Sequence, residues 1–466
     1  MDLKKIKKIH IIGICGVATG SIAIALKKAG YEISGSDKGF FPPVSDLLKK
    51  ENIKFYPGFH ENKMLENGNP DLIIIGNSSG SQNPETLKAR ELQILELSDA
   101  EARGKFFSHE ENIVCAGTWG KTSTSALLSF ILLDNNLDPS YITGGISLSH
   151  DPAKIGKGKF SVIEGDEYKT SPFDNRPKFF HFPPKHLLLT SISWDHADLY
   201  KTENDFIKIF KDLISKVPKE GILAVSSSNV QAFELSKDTV NKRVTYGFKE
   251  TDDYQIINIK ESQTGLEFEI KHNKQIYKIK SPMLGLFQIE NITGSFAMIR
   301  ETTNLDPKNI IQSIKKFAGI KRRLQKRFNN KVTIIDDIAH SPEKAKSTLT
   351  EIRKIYHKKI IAIYEPNIGS RQRETIDKYD GAFSSADMVF IPRLTKLKIS
   401  GKEIKPLEGD ELTKIIKKTK SETFYEPNDE KLIERVYQTA ENNDVIIFLG
   451  SHGFRGMIES LIEKIK

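Results

Sequence analysis

The chain has few cysteines and no long apolar run. Among its 466 residues there are two cysteines, Cys15 and Cys115, far apart in sequence. This pair excludes a disulfide framework and a cysteine-based metal cluster, and it favours a reducing compartment, the cytoplasm. No apolar run reaches the roughly 20 residues that cross a bilayer. The short apolar segment near the N-terminus leads into a glycine-rich turn, so we interpret it as a first β-strand and not as a signal peptide.

The excess of positive charge is moderate. The 70 Lys and Arg residues and the 61 Asp and Glu residues give a net charge of +9, which is spread along the whole chain. The densest basic segment, 315–328, is not accompanied by the aromatic-interleaved signature that is typical of RNA or DNA binding. Solvated helix faces or a preference for small anions explain it. We therefore predict no nucleic-acid partner, no membrane partner, and a monomer or weak homo-oligomer.

Several short apolar runs end in glycine or in acidic turns and alternate with helical patterns. Strands without polar alternation are buried on both faces, as in a parallel sheet covered by helices, so the pattern predicts α/β architecture. Between about residues 240 and 280 the alternation of apolar and polar residues instead predicts a small antiparallel β excursion. The apolar runs are "KIHIIGICG", "DLIIIGN", "NIVCAGT", "FSVIEGD", "HLLLTSISWD", "KVTIIDDIAH", "KKIIAIYEP", "ADMVFIP" and "DVIIFLG".

Two segments divide the chain into three α/β domains. They are the acidic helical stretch before residue 112 and the "FAGIKRR" stretch that begins at Phe317. We expect a Rossmann-like N-terminal domain at 1–107, a central P-loop domain with the antiparallel excursion at 108–317, and a Rossmann-like C-terminal domain at 318–466.

The turn after the first strand is rich in glycine. "GICGVATGS" places Gly13, Gly16 and Gly20 there, and "SGSD" places Asp37 at the end of the second strand. Such a turn lets the backbone approach a diphosphate, and Asp37 could reach a ribose hydroxyl. The spacing is not G-x-G-x-x-G, which weakens a dinucleotide cofactor and with it a dehydrogenase. A nucleotide site and a plain βα turn both remain open.

The segment "CAGTWGKTSTS", 115–125, follows a buried strand and opens a helix. This strand–loop–helix context is the one that a phosphate-binding P-loop requires. Backbone amides would cradle the phosphates of a nucleotide triphosphate, Lys121 would neutralise the β and γ oxygens, and Thr122 would offer its hydroxyl to Mg²⁺. The alternative is a fortuitous glycine–lysine turn.

Two later strands end in possible metal ligands. "VIEGDEY" presents Glu164, Asp166 and Glu167, and "ISWDHADLY" follows with the second group, Asp195, His196 and Asp198. In an open parallel sheet the carboxyl ends of strands share one edge, so these side chains and the P-loop should converge. Taken singly, a carboxylate in such a place is more often a helix cap or a solvated turn than a metal ligand, but its occurrence together with the P-loop favours a ligand.

Together these motifs resemble the Mur ligase family. The order "AGTWGKTS", "EGDEY", "DHADLY", "RR" and "DDIAHSP" carries the resemblance, which covers essentially the whole chain and its three-domain layout. The family consists of ATP-dependent enzymes that join an amino acid or peptide to a UDP-muramyl carboxylate. The stretches "DEYKTSPFDNRPKFFHFPPKHLLL", "YEPNIGSRQR" and "GSHGFRGM" are similar to the murein peptide branch, which attaches L-Ala-γ-D-Glu-meso-diaminopimelate to UDP-N-acetylmuramate in peptidoglycan recycling. "GICG" with "SGSD" resembles the branch that adds L-alanine, and that activity is the nearest alternative. A Mur-like protein that binds the nucleotide sugar without catalysis is a third.

The resemblance implies a role for each matching residue. The catalytic residues would be Lys121, Glu164, His196 and Arg323, with Thr122 and Glu164 on one Mg²⁺ and His196 with Glu164 on a second. A loop arginine can clamp a carboxylate, although such arginines are often simply solvated. The predicted ATP-binding residues are Gly117, Thr118, Gly120, Lys121, Thr122, Ser123, Asn291, Arg323, Asp336, Asp337 and His340; those for the UDP-sugar are Gly13, Cys15, Gly16, Ser36 and Asp37; those for the peptide are Arg371 and Arg373.

Four positions depart from the family pattern. Trp119 and Phe287 stand where histidines are usual, Gln288 replaces an asparagine, and Ser341 replaces a second histidine. These departures affect the expected adenine contacts and not the phosphate and metal residues. Some members also carry a carbamylated lysine; Lys208 and Lys211 lie in the corresponding region, where we interpret them as helix-surface residues.

Overall fold

The computed structural model describes residues 3–40, 44–77, 82–171, 174–395, 406–420 and 422–466. Two compact units make up the chain. The first comprises Met1–Ile259, Glu267–Pro282 and Phe287–Gly319, and the second comprises Lys260–Leu266, Met283–Leu286 and Ile320–Lys466. Within the described residues no helix is long and apolar enough to span a membrane.

The first unit begins with a five-stranded parallel sheet. Its strands lie in the order β3-β2-β1-β4-β5, which is the Rossmann-like arrangement. The strands are β1 (Lys8–Ile12), β2 (Glu32–Asp37), β3 (Lys54–Pro57), β4 (Leu72–Ile75) and β5 (Leu95–Ser98), and the helices are α1 (Val17–Lys28), α2 (Val44–Lys50), α3 (Glu61–Leu65), α4 (Pro84–Glu91) and α5 (Asp99–Phe107).

Local sequence explains where these helices begin. Ser98 and Glu101 form a capping box at α5, in which each side chain binds the other residue's backbone amide. At α4 the side chain of Asn83 accepts from two amides of the first turn, and Pro84 follows at the first helical position. The acidic segment before residue 112 is therefore helical, as expected.

A ten-stranded sheet forms the centre of the first unit. Its order is β17-β16-β15-β14-β13-β12-β6-β9-β7-β8, so the strand that leads into the P-loop lies between two others. The strands of this sheet are β6 (Glu111–Ala116), β7 (Ser140–Ile142), β8 (Ala153–Lys154), β9 (Phe160–Gly165), β12 (His186–Leu189), β13 (Ile222–Ser226), β14 (Lys242–Gly247), β15 (Tyr254–Ser262), β16 (Gly265–His272) and β17 (Gln275–Ser281). A separate antiparallel pair consists of β10 (Lys169–Ser171) and β11 (Asp174–Pro177). The helices are α6 (Lys121–Asp134), α7 (Glu203–Ile214), α8 (Val230–Leu235), α9 (Phe287–Thr302) and α10 (Pro307–Lys316).

The antiparallel excursion is one strand shorter than predicted. Strand β14, which contains the "RVTYGF" segment, pairs in parallel with β13 and with β15. The turns between β15, β16 and β17 have two residues each, a length that joins only antiparallel neighbours. The excursion thus comprises β15 to β17, because β14 is buried on both faces like the parallel strands before it.

The second unit holds a six-stranded sheet. Its order is β18-β19-β23-β20-β21-β22, with β18 antiparallel at the edge and the remaining pairs parallel. Apolar side chains fill both sides of this sheet. The bounds are β18 (Gln325–Asn329), β19 (Thr333–Asp337), β20 (Ile360–Glu365), β21 (Met388–Pro392), β22 (Thr423–Glu426), β23 (Val445–Gly450), α11 (Pro342–Ile355), α12 (Gly409–Lys417), α13 (Asp429–Thr439) and α14 (Met457–Ile465), with short 3₁₀ helices along the chain at Leu3–Lys5, Lys178–His181, Gly369–Arg371, Arg373–Tyr379 and Phe454–Gly456.

All the apolar runs identified in the sequence are strands, namely β1, β4, β6, β9, β12, β19, β20, β21 and β23. The predicted three-domain α/β fold is confirmed. The residue boundaries of the three domains remain a prediction.

Candidate active site

The P-loop connects β6 to α6. Gly117 and Gly120 adopt positive φ angles of 132° and 86°, and Gly120 is the N-cap of α6. Such angles favour glycine, which explains both positions. The hydroxyl of Thr118 hydrogen-bonds the backbone N–H and C=O of Ser193, each at 2.9 Å. The loop is therefore held against the segment that follows the neighbouring strand β12.

Lys121 points back along the loop. Its Nζ donates to Gly117 O at 2.6 Å and to the two carboxylate oxygens of Glu167 at 2.8 and 3.0 Å. The Lys121 side chain is 13% exposed and that of Glu167 is 3% exposed. The ammonium that the sequence assigned to phosphates thus forms an ion pair with a buried carboxylate.

Glu164, at the end of β9, lies beside Thr122. The Thr122 hydroxyl donates to Glu164 Oε1 at 3.0 Å, and Glu164 Oε2 accepts from the amide of Gly144 at 2.6 Å and from Ser125 Oγ at 3.3 Å. A hydroxyl and a carboxylate are hard oxygen donors, which fit Mg²⁺ when phosphate oxygens and water complete its coordination. Within the described residues there is no cluster of three or more His, Cys, Asp or Glu that would hold a metal by itself.

His196 approaches Glu167 rather than the expected Glu164. Its Nε2 lies 3.6 Å from Glu167 Oε1, and the edge of its ring contacts Tyr168 with the ring centres 4.9 Å apart. The nearby carboxylate of Glu167 raises the pKa of His196, although partial burial acts in the opposite direction. Glu167 therefore lies between Lys121 and His196, which come from the ends of different strands.

The other acidic candidates have partners outside this group. Asp166 binds Lys178 Nζ at 2.9 Å; burial opposes ionisation of Asp166, but the attraction of Lys178 outweighs it and lowers the pKa to about 2. Asp198 accepts from the Tyr168 hydroxyl at 3.0 Å, and Asp195 accepts from the backbone amide of residue 196 at 2.7 Å. These three carboxylates support local structure and do not reach Lys121.

Helix α9 lies behind the P-loop. Asn291 Oδ1 accepts from Thr124 Oγ1 at 3.3 Å, and Asn291 Nδ2 donates to Gln288 Oε1 at 3.0 Å. A Cβ atom at Gly120 would lie 2.5 Å from Asn291 Oδ1. Gln288 is thus a buried hydrogen-bond partner of Asn291, and both side chains support the P-loop from α9.

Several residues near the loop differ in exposure. Trp119 is 62% exposed and Phe287 is 50% exposed, whereas Ser123 is buried.

On α7, Lys208 binds Asp212 at 2.7 Å on the exposed surface, and Lys211 is exposed. Both lysines thus lie on the helix surface, where the sequence placed them.

The glycine turn of the N-terminal sheet is closed by β2. Gly13 N donates to Ser36 O at 2.8 Å, Gly16 N to Gly13 O at 3.2 Å, and Cys15 N to Asp37 Oδ2 at 2.8 Å. The amides assigned to a UDP-sugar therefore bind the protein's own oxygens. Gly20 has a packing reason, because a Cβ there would lie 2.3 Å from the side chain of Val44.

In the second unit the predicted nucleotide residues differ in accessibility. Arg323 is exposed and His340 is half-buried, with its Nδ1 2.7 Å from Ile338 O. Asp336 is buried against Arg322 at 3.2 Å, and Asp337 accepts from the amides of residues 324 and 339 at 2.8 and 2.9 Å. Burial raises the pKa of both carboxyls. Both carboxylates are buried; that of Asp336 pairs with a guanidinium, and that of Asp337 accepts from two backbone amides.

Ser341 also has a local role in this unit. Its side chain is the N-cap of α11 and accepts from Lys344 N at 3.4 Å. A serine suits this position because its hydroxyl satisfies an unpaired amide of the first turn.

The two arginines assigned to the peptide have different surroundings. Arg371 is 2% exposed, and its guanidinium donates to Leu407 O at 2.9 Å and to Thr395 O at 2.8 Å. Arg373 is 52% exposed and lies 3.5 Å from Glu411. The guanidinium of Arg371 thus binds two backbone carbonyls and lies 3.4 Å from Glu408, and its contact with a substrate carboxylate stays a prediction.

A charged cluster that the sequence did not single out lies at the carboxyl ends of β20 and β21. Buried Glu365 accepts from Thr395 Oγ1 at 2.8 Å and from Arg455 at 3.0 Å, and Asp429 joins Arg455 at 2.8 Å to Arg393 at 3.4 Å. In the sequence, this cluster is indicated by the charged residues Glu365 and Arg393, which lie at the end of one buried strand and directly after another. This edge is where ligands bind in open α/β sheets.

Comparison with known families covers nearly the whole chain. The profile described as "Mur ligase family, catalytic domain" matches residues 8–111, "Mur ligase middle domain" matches 115–299, and "Mur ligase, glutamate ligase domain" matches 322–452.

Three similar proteins are ligases that match between 68% and 98% of this chain. A UDP-N-acetylmuramate–L-alanine ligase of Clostridium botulinum is 30% identical over 454 residues, which cover 96% of this chain and 95% of that protein. The solved UDP-N-acetylmuramate–alanine ligase of Thermotoga maritima has a TM-score of 0.79 at 20% identity and covers 98% of this chain and 99% of that one. The solved UDP-N-acetylmuramate:L-alanyl-γ-D-glutamyl-meso-diaminopimelate ligase of Neisseria has a TM-score of 0.62 at 26% identity and covers 68% of this chain and 100% of that one.

Proposed function

The chain belongs to the Mur ligase family, the ATP-dependent amide ligases of peptidoglycan synthesis, and we propose that it joins UDP-N-acetylmuramate to the tripeptide L-Ala-γ-D-Glu-meso-diaminopimelate. The observation that carries a ligase chemistry is the group Lys121, Glu164 and Glu167 at the carboxyl ends of adjacent strands. A carboxylate is a poor acyl donor, so the γ-phosphoryl group of ATP first goes to the lactoyl carboxylate and gives an acyl phosphate and ADP.

The second step forms the amide. The free amine of the tripeptide attacks the acyl carbon, the tetrahedral intermediate expels phosphate, and the nitrogen loses a proton. Two anions meet in the first step, so positive charge placed around the triphosphate supplies most of the rate enhancement.

Each residue of the site has a proposed task in this scheme. The P-loop amides hold the phosphates, and Lys121 neutralises the charge that develops on the transferred group. Thr122 and Glu164 would hold a Mg²⁺ ion, which when bound supplies Lewis-acid charge at the β and γ oxygens. His196 would stand beside the acyl phosphate. Arg323 and His340 are the accessible nucleotide candidates of the second unit.

Two observations favour the tripeptide over L-alanine as the substrate. The segment 166–189 is similar to the murein peptide branch, although Pro172 and Phe173 within it lie outside the described residues. The partly exposed Arg393 and Arg455 lie with Glu365 and Asp429 at one sheet edge, which suits a substrate carrying several carboxylates and an amine. The names of the sequence relatives favour L-alanine, which is therefore the second candidate.

A panel of amines tests this proposal. The protein is incubated with ATP, Mg²⁺, UDP-N-acetylmuramate and either L-alanine or tripeptides ending in meso-diaminopimelate or lysine, and phosphate release is measured. We expect the diaminopimelate tripeptide to give the highest kcat/KM, by about 100-fold over L-alanine.

The blank is Lys121→Ala, which should lose at least about 100-fold in kcat because a transition-state cation is removed. Preferential turnover of L-alanine would contradict the tripeptide. A wild-type protein that binds the sugar nucleotide but releases no phosphate with any amine would indicate a binding protein without catalysis.

A further inference from the structure

The ion pair between Lys121 and Glu167 raises a question about nucleotide binding. Lys121 Nζ has three N–H donors, and its acceptors are Gly117 O at 2.6 Å, both oxygens of Glu167 at 2.8 and 3.0 Å and, at the longer distance of 3.4 Å, Thr118 O. A triphosphate in the P-loop requires the same ammonium. Glu167 and the triphosphate therefore compete for one cation.

Glu167 is fixed from its other side. Its backbone carbonyl accepts from the hydroxyl of Tyr200 at 2.5 Å, and its Oε1 lies 3.6 Å from His196 Nε2. With its side chain 3% exposed, the carboxylate has little water to compensate its charge. When Lys121 is lost as a partner, the basic side chain that remains beside the carboxylate is His196.

Replacing Glu167 by a triphosphate as the partner of Lys121 costs free energy. A buried carboxylate that loses its cation is strongly disfavoured, and a triphosphate beside it adds repulsion between like charges. Binding of ATP must overcome both effects. Removal of the charge at position 167 removes both effects as well.

We propose that Glu167 is a positioning residue that holds Lys121 in the P-loop until a triphosphate displaces it, and that then orients His196 for the reaction. This inference rests on the proposed triphosphate site. It distinguishes Glu167 from Glu164, whose partners are the hydroxyls of Thr122 and Ser125 and the amide of Gly144.

The test is Glu167→Gln, which keeps the shape of the side chain and removes its charge. Binding of ATP in EDTA is measured by calorimetry, and phosphate release is measured with Mg²⁺ and all substrates. We expect ATP to bind roughly 3- to 30-fold more tightly to the variant, because no ion pair is broken. We expect kcat to fall at least about tenfold, because His196 loses the group that orients it.

Two controls separate this result from a general loss of structure. Glu301→Gln breaks another Lys–Glu pair of the first unit, the 2.6 Å contact with Lys242, and should leave ATP affinity unchanged. Glu167→Asp keeps the charge, so its ATP affinity should stay within about threefold of wild type.

A double-mutant cycle covers the case in which the single variant folds poorly. Lys121→Ala leaves Glu167 without its cation, so the added Glu167→Gln change should restore part of the lost ATP affinity. Equal or weaker ATP binding in folded Glu167→Gln, or no restoration in the double variant, would overturn the inference and make Glu167 a fixed anchor of the loop. Failure of the wild-type protein to bind ATP would instead contradict the proposed function.

Discussion

Glu164 and Glu167 both lie near the carboxyl end of β9, but their hydrogen-bond and ion-pair partners differ. Glu164 accepts from two hydroxyls and an amide, whereas Glu167 pairs with a lysine and approaches a histidine. The first arrangement leaves a carboxylate that suits a hard cation, and the second compensates the charge of Lys121. Residue type alone does not distinguish them; the partners that the fold places around each one do.

A second buried carboxylate, that of Glu85, supports the N-terminal glycine turn. Glu85 is fully buried and accepts from the Tyr56 hydroxyl at 2.6 Å, the amide of His60 at 2.8 Å and the hydroxyl of Ser36. Burial opposes its ionisation, but the bond to His10 and the other donors outweigh burial and lower the pKa of Glu85. Because Ser36 O in turn holds Gly13, this network fixes the turn assigned to the UDP-sugar.

We expect Glu85→Gln to destabilise the protein by about 1–3 kcal/mol at pH 7. The folded-state pKa lies below the unfolded value of about 4.3, so the carboxylate contributes stability above that value and loses it as the pH falls. Urea unfolding of both proteins between pH 7 and pH 4 should show the difference shrinking below about pH 4.5. A constant difference across this range would contradict an ionised Glu85 as its source.

At the scale of elements, the site depends on the order β12-β6-β9. Parallel neighbours present their carboxyl ends at one edge, so the P-loop after β6 meets Glu164 on β9 and the segment after β12. The turn into α6 is tight because Gly120 has positive φ and its position lies against Asn291.

Two glycine substitutions separate the effect of backbone strain from the effect of the contact between the P-loop and α9. Gly120→Ala and Gly30→Ala both place a side chain at positive φ, at 86° and 100°, but a Cβ at Gly30 meets no atom within 4 Å whereas one at Gly120 lies 2.5 Å from Asn291 Oδ1. We expect each to cost about 1–2 kcal/mol through strain. Only Gly120→Ala should also weaken ATP binding, by about tenfold or more, since the loop must shift.

Calorimetry with ATP and thermal unfolding of both variants provide the comparison. Equal ATP affinity in the two variants would show that the contact with α9 does not shape the loop.

At the scale of the whole molecule, much of the architecture was accessible from sequence. Continuous apolar runs followed by glycine or acid predicted the parallel strands, and with them the edge where the P-loop and Glu164 meet. Periodicity did not reveal that β14 is parallel, because its alternation resembles that of the antiparallel strands after it. The pairing of β14 is set by its neighbours in the sheet.

Side-chain partners were less accessible than strand ends. Nothing local in the sequence shows that Arg371 turns inward to backbone carbonyls, or that Asp336 compensates Arg322. Likewise Glu167 was one of three acids after a strand, and its selection required the distances to Lys121 and His196. Such contacts join segments that are distant in the chain, so they depend on the packed fold and not on spacing.

We propose that ATP activates a carboxylate of the sugar nucleotide, and the transfer of an oxygen isotope from that carboxylate to phosphate tests this step. UDP-N-acetylmuramate labelled with ¹⁸O in its lactoyl carboxylate is incubated with the protein, Mg²⁺, ATP and the tripeptide, and the released phosphate is analysed by mass. An acyl phosphate passes one carboxylate oxygen to phosphate, so we expect one ¹⁸O atom per released phosphate when the substrate is doubly labelled. Amide product accompanied by unlabelled phosphate would contradict it.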